Sequence, residues 1–222
     1  MRVTLFDLDG TLLPGDSDHA FGQFLVRLGW ADGTEFARRN DRFYIDYQQG
    51  RLDIADYIDF ITAPWRARPP AEADAASRRF IEEIVRPMLR PAALALVERH
   101  RRAGDRLAIV TATNDFVTRP IAELLGVRDL IATELERDAS GRATGAIRGV
   151  PAFREGKVER VREWLAGQGA SLEACERSVF YSDSTNDLPL LERVSDPVAT
   201  NPGPALERVA RERGWPVLKL FE

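Results

Sequence analysis

The sequence predicts an α/β protein, a Rossmann-like parallel sheet with a helical cap inserted into it. Three observations lead there. Short runs rich in aliphatic and β-branched residues alternate with helical patterns along most of the chain, as in a parallel sheet covered by helices. Residues 16–88 break that alternation and carry only helical periodicity. This helical block falls between the first and second strand patterns, where it can cover the edge of the sheet.

Taken in order, RVTLFDL (2–8) is the first strand, and it carries Asp7 and ends at Asp9–Gly10. DHAFGQFLVRLGW, TEFARRNDRFYIDYQQG, DIADYIDFI and AEADAASRRFIEEIV then read as four amphipathic helices. The proline-rich run APWRARPPAE (63–72) reads as a break between two of them. These features divide the chain into a core of residues 1–15 and 89–222 and a cap of residues 16–88. A long crossover packed on one face of the sheet is the alternative reading of that block.

A helix over 91–103, closed by Gly104, leads into the second strand, RLAIVTA (106–112). LIATEL (130–135) is the third strand. The glycines of RDASGRATGAI (137–147) suggest a small hairpin or flap after it. RSVFYSD (177–183) is the fourth strand, and DPVAT (196–200) and WPVLKL (215–220) are short outer strands. Helices near 115–125, 155–167, 186–194 and 203–213 fill the gaps. His100, in ERHRRAG, is expected at an exposed helix end.

Bulk properties narrow the class. The 222 residues are 44% hydrophobic, enough for a core, and carry a net charge of −4 with acids interleaved among the arginines. No basic stripe favours nucleic acid or an anionic membrane as a partner. The single cysteine, Cys175, excludes an internal disulfide and a paired-cysteine zinc site. No segment approaches the roughly 20 apolar residues of a membrane helix, and the N-terminal apolar run is too short for a signal peptide. A soluble, cytoplasmic protein is expected, and the sequence leaves its oligomeric state open.

The polar residues converge. In an open parallel sheet, ligands bind beyond the carboxyl ends of the strands. Asp7 and Asp9 end the first strand, Thr111 and Thr113 the second, and Asp183, Asn186 and Asp187 follow the fourth. Lys157, at the start of a helix, can reach the same rim. Several carboxylates cannot share a pocket bare, because they repel and lose water together. A divalent cation resolves this, and oxygen ligands without His or Cys select a hard ion such as Mg²⁺. Lys157 then offers positive charge, and Thr111 a hydroxyl, to a phosphate oxygen. Each element has a plainer reading alone: D-x-D as a turn, SDSTND as a helix cap, Lys157 as a solvated side chain. Their order and spacing together favour the site.

Those residues resemble the haloacid dehalogenase superfamily. DLDGT (7–11) is similar to its first motif, VTAT (110–113) to its second, Lys157 in REGKVERV to its third, and YSDSTNDLPLL (181–191) to its fourth. Ser182 stands where a glycine often precedes the fourth-motif aspartate. The insert resembles the C1-type cap of the phosphoserine-phosphatase-like branch. The resemblance implies a Mg²⁺-dependent phosphomonoesterase with Asp7 as nucleophile and Asp9 as general acid and base. It implies metal contacts from Asp7, Asp183 and the Asp9 main-chain carbonyl, with Asp187 holding metal-bound water or orienting Lys157.

Substrate choice falls to the cap. Asp16, Ser17, Asp18 and His19 open it beside the site, either as helix caps or with Asp18 meeting a cationic substrate group and His19 among the substrate-binding residues. The pattern DLDGTLLPGDSDHAFGQFL with FREGKVERV resembles bacterial histidinol-phosphate phosphatases of this branch, implying a small phosphorylated metabolite as partner. Phosphoserine is the competing substrate, and its carboxylate would need a cap arginine, with Arg51 and Arg42 as candidates. A phospho-accepting signalling module and a transferase to an alcohol are readings of other classes. The first would need neither the cap nor a general acid.

Overall fold

The chain opens with β1 (Arg2–Phe6), an aliphatic run buried along nearly its whole length. The helical block follows as α1 (Ser17–Arg27), α2 (Gly33–Gln48), α3 (Ile54–Arg66) and α4 (Pro70–Phe80). α4 runs through a π-helical turn, Ile81–Val85, into the short α5 (Arg86–Met88). Asp16, Asp32 and Asp53 cap the first three helices, each carboxylate accepting from main-chain N–H groups of the first turn. α6 (Pro91–Arg102) leads into β2 (Arg106–Asn114), then α7 (Asp115–Leu124) and β3 (Asp129–Thr133). β4 (Leu135–Arg137) and β5 (Ala143–Ile147) form the expected antiparallel hairpin. α8 (Glu155–Ala166), β6 (Arg177–Ser182), α9 (Leu188–Leu191), β7 (Asp196–Thr200), α10 (Pro204–Arg213) and β8 (Val217–Leu218) complete the chain. The structure, a computed structural model, describes residues 1–221.

Six strands form one parallel sheet in the order β3-β2-β1-β6-β7-β8. The order reverses at β1, which pairs with β2 on one side and β6 on the other. The crevice beyond its carboxyl end is where such sheets take ligands. Alternation along β1 decides which side chain meets what. Val3 and Leu5 pack into the cluster that holds Val158, Val161 and Leu165 of α8. Phe6 faces the opposite cluster, with Leu96 and Val97 of α6 and Phe21 and Phe24 of α1. Asp7, two residues beyond Leu5, therefore belongs to the α8 side.

Three local expectations differ from the structure. α3 continues through Pro64, which confines the proline-rich break to 67–69. The lost helical bond is offset because the continued turn buries Trp65, stacked on Phe116 at 4.1 Å and 12°. The helix expected over 186–194 is a 3₁₀ turn, Thr185–Asp187, followed by the single turn of α9. Asp187 stands between them at φ −97°, ψ 1°, its carboxylate held by Ser182 and Lys157.

His100 is not exposed. It is 6% accessible and lies under β1, with Nδ1 2.7 Å from Asp105 Oδ2 and Nε2 2.7 Å from the Tyr181 hydroxyl. Thr4 donates to the same Asp105 oxygen at 3.0 Å, and Arg2 reaches the other at 2.9 Å. The charged neighbours in ERHRRAG occupy the outer face of α6, while position 100 falls on the inner stripe with Ala93, Leu96 and Val97.

Candidate active site

Asp7 extends the β1 ladder by one bond, its N–H donating to the Tyr181 carbonyl at 2.9 Å. The chain then curls. The N–H groups of Leu12 and Leu13 both return to the Leu8 carbonyl, and Gly10 N–H donates to the Gly15 carbonyl. Gly10 has φ +77°, and a Cβ there would stand 2.3 Å from Asp183 Oδ2, so only glycine fits this approach. Asn201, at φ +46°, clasps the curl from behind. Its amide donates to the Gly10 and Thr11 carbonyls at 2.9 and 3.2 Å, while its Oδ1 accepts from the N–H groups of Leu220 and Phe221.

Lys157 enters from the first turn of α8, its ammonium 5.8 Å from the centre of the Phe180 ring. Nζ lies 2.8 Å from Asp7 Oδ1 and 2.8 Å from Asp187. Burial opposes its charge, but Asp187 and Asp7 more than restore it and raise its pKa. The ammonium is thus engaged by both carboxylates and is almost wholly buried beneath Asp7. Ser182 donates to Asp187 at 2.7 Å, so the serine that replaces the family glycine has a partner.

Asp9 turns the other way. Its Oδ1 accepts from Ser17 N–H at 2.7 Å and its Oδ2 from the Thr113 hydroxyl at 2.9 Å. Burial, followed by the nearby Asp16 charge, pushes its pKa up to about 7. Burial likewise raises Asp7, with Lys157 pulling it back, and raises Asp187 to about 6. Asp183 is pushed well above the usual carboxylate range by burial and by the charges of Asp7 and Asp187. Asp9, Asp16 and Asp183 keep some surface toward the cavities, which tempers the cost of their charge.

The Thr11 hydroxyl lies 3.3 Å from both Asp7 Oδ2 and Asp183 Oδ1. One hydroxyl proton cannot serve both, so this carboxylate pair is under-compensated. That excess of oxygen ligands fits a hard cation. Among the described residues no three acidic, histidine or cysteine side chains already converge on one point. Few protein ligands and an open remainder suit Mg²⁺, which keeps waters and takes phosphate oxygens. The side chains of Asp9 and Asp187 are not part of that pairing. Asp9 is turned to Ser17 and Thr113, and Asp187 to Lys157 and Ser182.

Two adjoining cavities open over these groups. The inner one, about 30 Å³, is lined by Asp7, Asp9 and Thr111 on one side and by Asp18, His19 and Tyr57 on the other. The outer one, about 330 Å³, reaches Asp183, Ser184 and the start of α10. Asp9, Asp16, Tyr44 and Tyr47 line both. Thr111 accepts from Thr113 N–H at 3.2 Å, which leaves its own proton for a ligand.

The remaining sequence candidates fall in several places. Asp18 is buried against Asn114, which donates to it at 3.1 Å, and burial with the charges of Asp16 and Asp9 raises it well above its ordinary value. Asn186 bonds the Tyr47 carbonyl at 3.0 Å and tethers the helical block rather than facing a cavity. Arg51 is not brought to the site: it is 60% exposed and paired with Asp46, as is Arg42. Asp46, half-buried near the end of α2, holds both.

Sequence reasoning passed over Asn201, Asn114 and Arg154. Arg154 has φ +52°, ψ −122° and donates to the Gly50 carbonyl of the helical block. Its place three residues before Lys157 was a signal; its backbone was not readable.

The family model of the haloacid dehalogenase-like hydrolases matches residues 4–192. This chain belongs to that family. A histidinol-phosphatase of Neisseria meningitidis is 43% identical over 98% of both chains. A crystal structure of a protein of unknown function from Bordetella pertussis is 49% identical, covers 99% of both chains and superposes with a TM-score of 0.93. A substrate-bound phosphoserine phosphatase, 18% identical, covers 98% of this chain and 92% of its own with a TM-score of 0.70, a likeness of fold. The chain is thus an enzyme of the haloacid dehalogenase-like family, of phosphatase type, and its α/β fold with an inserted helical block is the one the sequence predicts. No helix of the described residues is long and apolar enough to cross a membrane.

Proposed function

We propose that this chain is a Mg²⁺-dependent, cytoplasmic phosphomonoesterase for a small amino-bearing metabolite, with L-histidinol phosphate as its substrate and Asp7 as its nucleophile. One observation carries the reading: Lys157 locks Asp7 Oδ1, while Oδ2 has only the shared Thr11 hydroxyl at 3.3 Å. The freer oxygen is poised to attack phosphorus, and a carboxylate needs no deprotonation to do so.

In the first step an Asp7 oxygen bonds to phosphorus as the ester P–O bond breaks, and the leaving oxygen takes the Asp9 proton. A pKa near 7 leaves a sizeable fraction of Asp9 protonated at neutral pH. In the second step Asp9 accepts a proton from water, whose oxygen displaces the phosphate from Asp7. Thr111 orients a phosphate oxygen from the cavity wall, and Lys157, behind Asp7, fixes that carboxylate and offsets its charge. Asp7, Asp183 and the Asp9 main-chain carbonyl would hold Mg²⁺, which supplies charge neutralisation for the phosphate and for the Asp7–Asp183 pair. Positioning and electrostatics carry such transfers, so a fixed carboxylate on a central strand suffices as scaffold.

Residues 16–88 serve as a cap over the core of residues 1–15 and 89–222. The 43% identity to a histidinol-phosphatase supports the substrate. The test is a panel of histidinol phosphate, phosphoserine and sugar phosphates, assayed for free phosphate with and without Mg²⁺. Histidinol phosphate should rank first by kcat/KM, and Asp7→Asn should abolish turnover. A different leading substrate, or an active Asp7→Asn enzyme, refutes the proposal.

A further inference from the structure

His19 is held more firmly than a cap-helix surface residue needs to be. Its N–H donates to the capping carboxylate of Asp16 at 2.7 Å. Its carbonyl accepts from the Asn40 amide at 2.9 Å. Gly22, one turn on, permits that crossing of α1 and α2, since a Cβ there would stand 2.6 Å from Asn40 Nδ2. The imidazole stacks on Tyr44, with centroids 5.0 Å apart and planes 27° apart. Nε2 lies 2.7 Å from Asp41 Oδ1. In the neutral ring, Nε2 carries the proton for that bond and Nδ1 is left as an acceptor. Nδ1 has no hydrogen-bond partner among the described residues.

The ring pair stands where the two cavities meet: His19 lines the inner one and Tyr44 lines both. Asp16 and Asp18 share that wall, while no lysine or arginine lines either cavity. The wall therefore offers acceptors and aromatic faces and has nothing to pair with an anion other than the phosphate.

We infer that His19, oriented by Asp41 and Tyr44, is the specificity residue that reads an N–H-bearing cationic head group, and that this wall rejects phosphoesters carrying a carboxylate. The inference rests on the phosphatase reading and deepens it. His19 acts on selection, Asp7 and Asp9 on the chemistry.

The decisive comparison uses kcat and KM for histidinol phosphate and for phosphoserine in the wild type and in His19→Ala. The loss should fall mainly on KM for histidinol phosphate, roughly 10- to 100-fold in kcat/KM, so the preference over phosphoserine drops at least about tenfold. His19→Gln, which keeps an acceptor, should recover most of that preference. Asp41→Ala, in an exposed position, removes the acceptor that orients the ring and gives the same direction of change if His19→Ala fails to fold. Equal losses on both substrates, no change on either, or a Gln variant no better than Ala would overturn the role. A second readout is the affinity of unphosphorylated L-histidinol by calorimetry, which needs no turnover and should weaken about tenfold in His19→Ala. Binding that depends on His19 in an enzyme that releases no phosphate would sink the phosphatase reading and leave the wall standing. An active phosphatase that prefers phosphoserine would do the reverse.

Discussion

Lys157 donates to Asp7 across 2.8 Å at a point where the ammonium is 1% and the carboxylate 4% accessible. The same ammonium holds Asp187, so a single cation compensates two buried carboxylates beside the half-buried Asp183.

Removing either partner should therefore act on stability with opposite sign. Lys157→Met strands two carboxylates, and breaking a buried pair this way costs about 3–5 kcal/mol. Asp7→Asn removes a charge that repels Asp183 and leaves Lys157 its bond to Asp187. Both variants should lose turnover, but only Lys157→Met should melt well below the wild type. Calorimetric melts beside a phosphate-release assay check this; a similar fall in Tm for both contradicts it.

The raised carboxylates set a pH dependence for the metal-free protein. Asp9 sits near 7 and Asp187 near 6 when folded, against an ordinary 3.8. The folded state thus holds these protons more tightly than the unfolded chain. Their stabilisation is complete below about pH 4 and is lost as pH rises through 6 and 7. In EDTA, Tm should fall between pH 5 and pH 8, and less steeply in Asp9→Asn. Mg²⁺ should raise Tm more at pH 8 than at pH 5, because the Asp7 and Asp183 carboxylates that would hold it are themselves raised by burial and must lose their protons first, and chelation should abolish activity reversibly. A Mg²⁺ effect that shrinks as pH rises would rule this out.

Arg154 is held at a backbone conformation that costs a non-glycine residue on the order of 1–3 kcal/mol, while its guanidinium reaches Gly50. Arg154→Gly should be more stable than Arg154→Ala by about 1 kcal/mol, since both lose the side chain and only one keeps the strain. Both should raise KM several-fold by loosening the cap. Urea titration and steady-state kinetics give the two readouts, and a more stable alanine variant would count against stored strain.

His100 satisfies Asp105 and the Tyr181 hydroxyl at once. His100→Leu matches its volume yet removes the imidazole's bonds to both, leaving Asp105 with Thr4 and Arg2 and the Tyr181 hydroxyl with Arg99, at a cost of about 0.5–1.5 kcal/mol. The loss should show as a lower urea midpoint with an unchanged slope. A variant as stable as the wild type would mean that neither bond matters to folding.

How far the sequence could be read depended on the range of the determining contact. Asp7, Asp9, Thr111 and Lys157 could be placed near one another because strand ends and motif spacing are local, and the parallel topology then brings those ends to one rim. His100 was misjudged because its arginine-rich neighbours describe the outer face of α6, while its partners come from β1 and β6, 96 and 81 residues away. Pro64 was read as a helix end because the stacking that offsets it, on Phe116, lies across the fold. Arg51 looked available for a substrate carboxylate until Asp46, five residues before it, claimed it. Arg154 and Asn201 act through backbone conformations that no side-chain pattern encodes.

Asn201 carries a consequence for synthesis. Its side chain fastens Gly10 and Thr11 on one side and the N–H groups of Leu220 and Phe221 on the other. A ribosome that has exposed 200 residues has delivered Asp7, Asp9, Lys157 and Asp183, yet not the residue that clasps their loop nor the segment that clasps it in turn. The acids emerge first and are set last, so a growing chain carries Asp7 for most of its synthesis before the clasp on its loop exists.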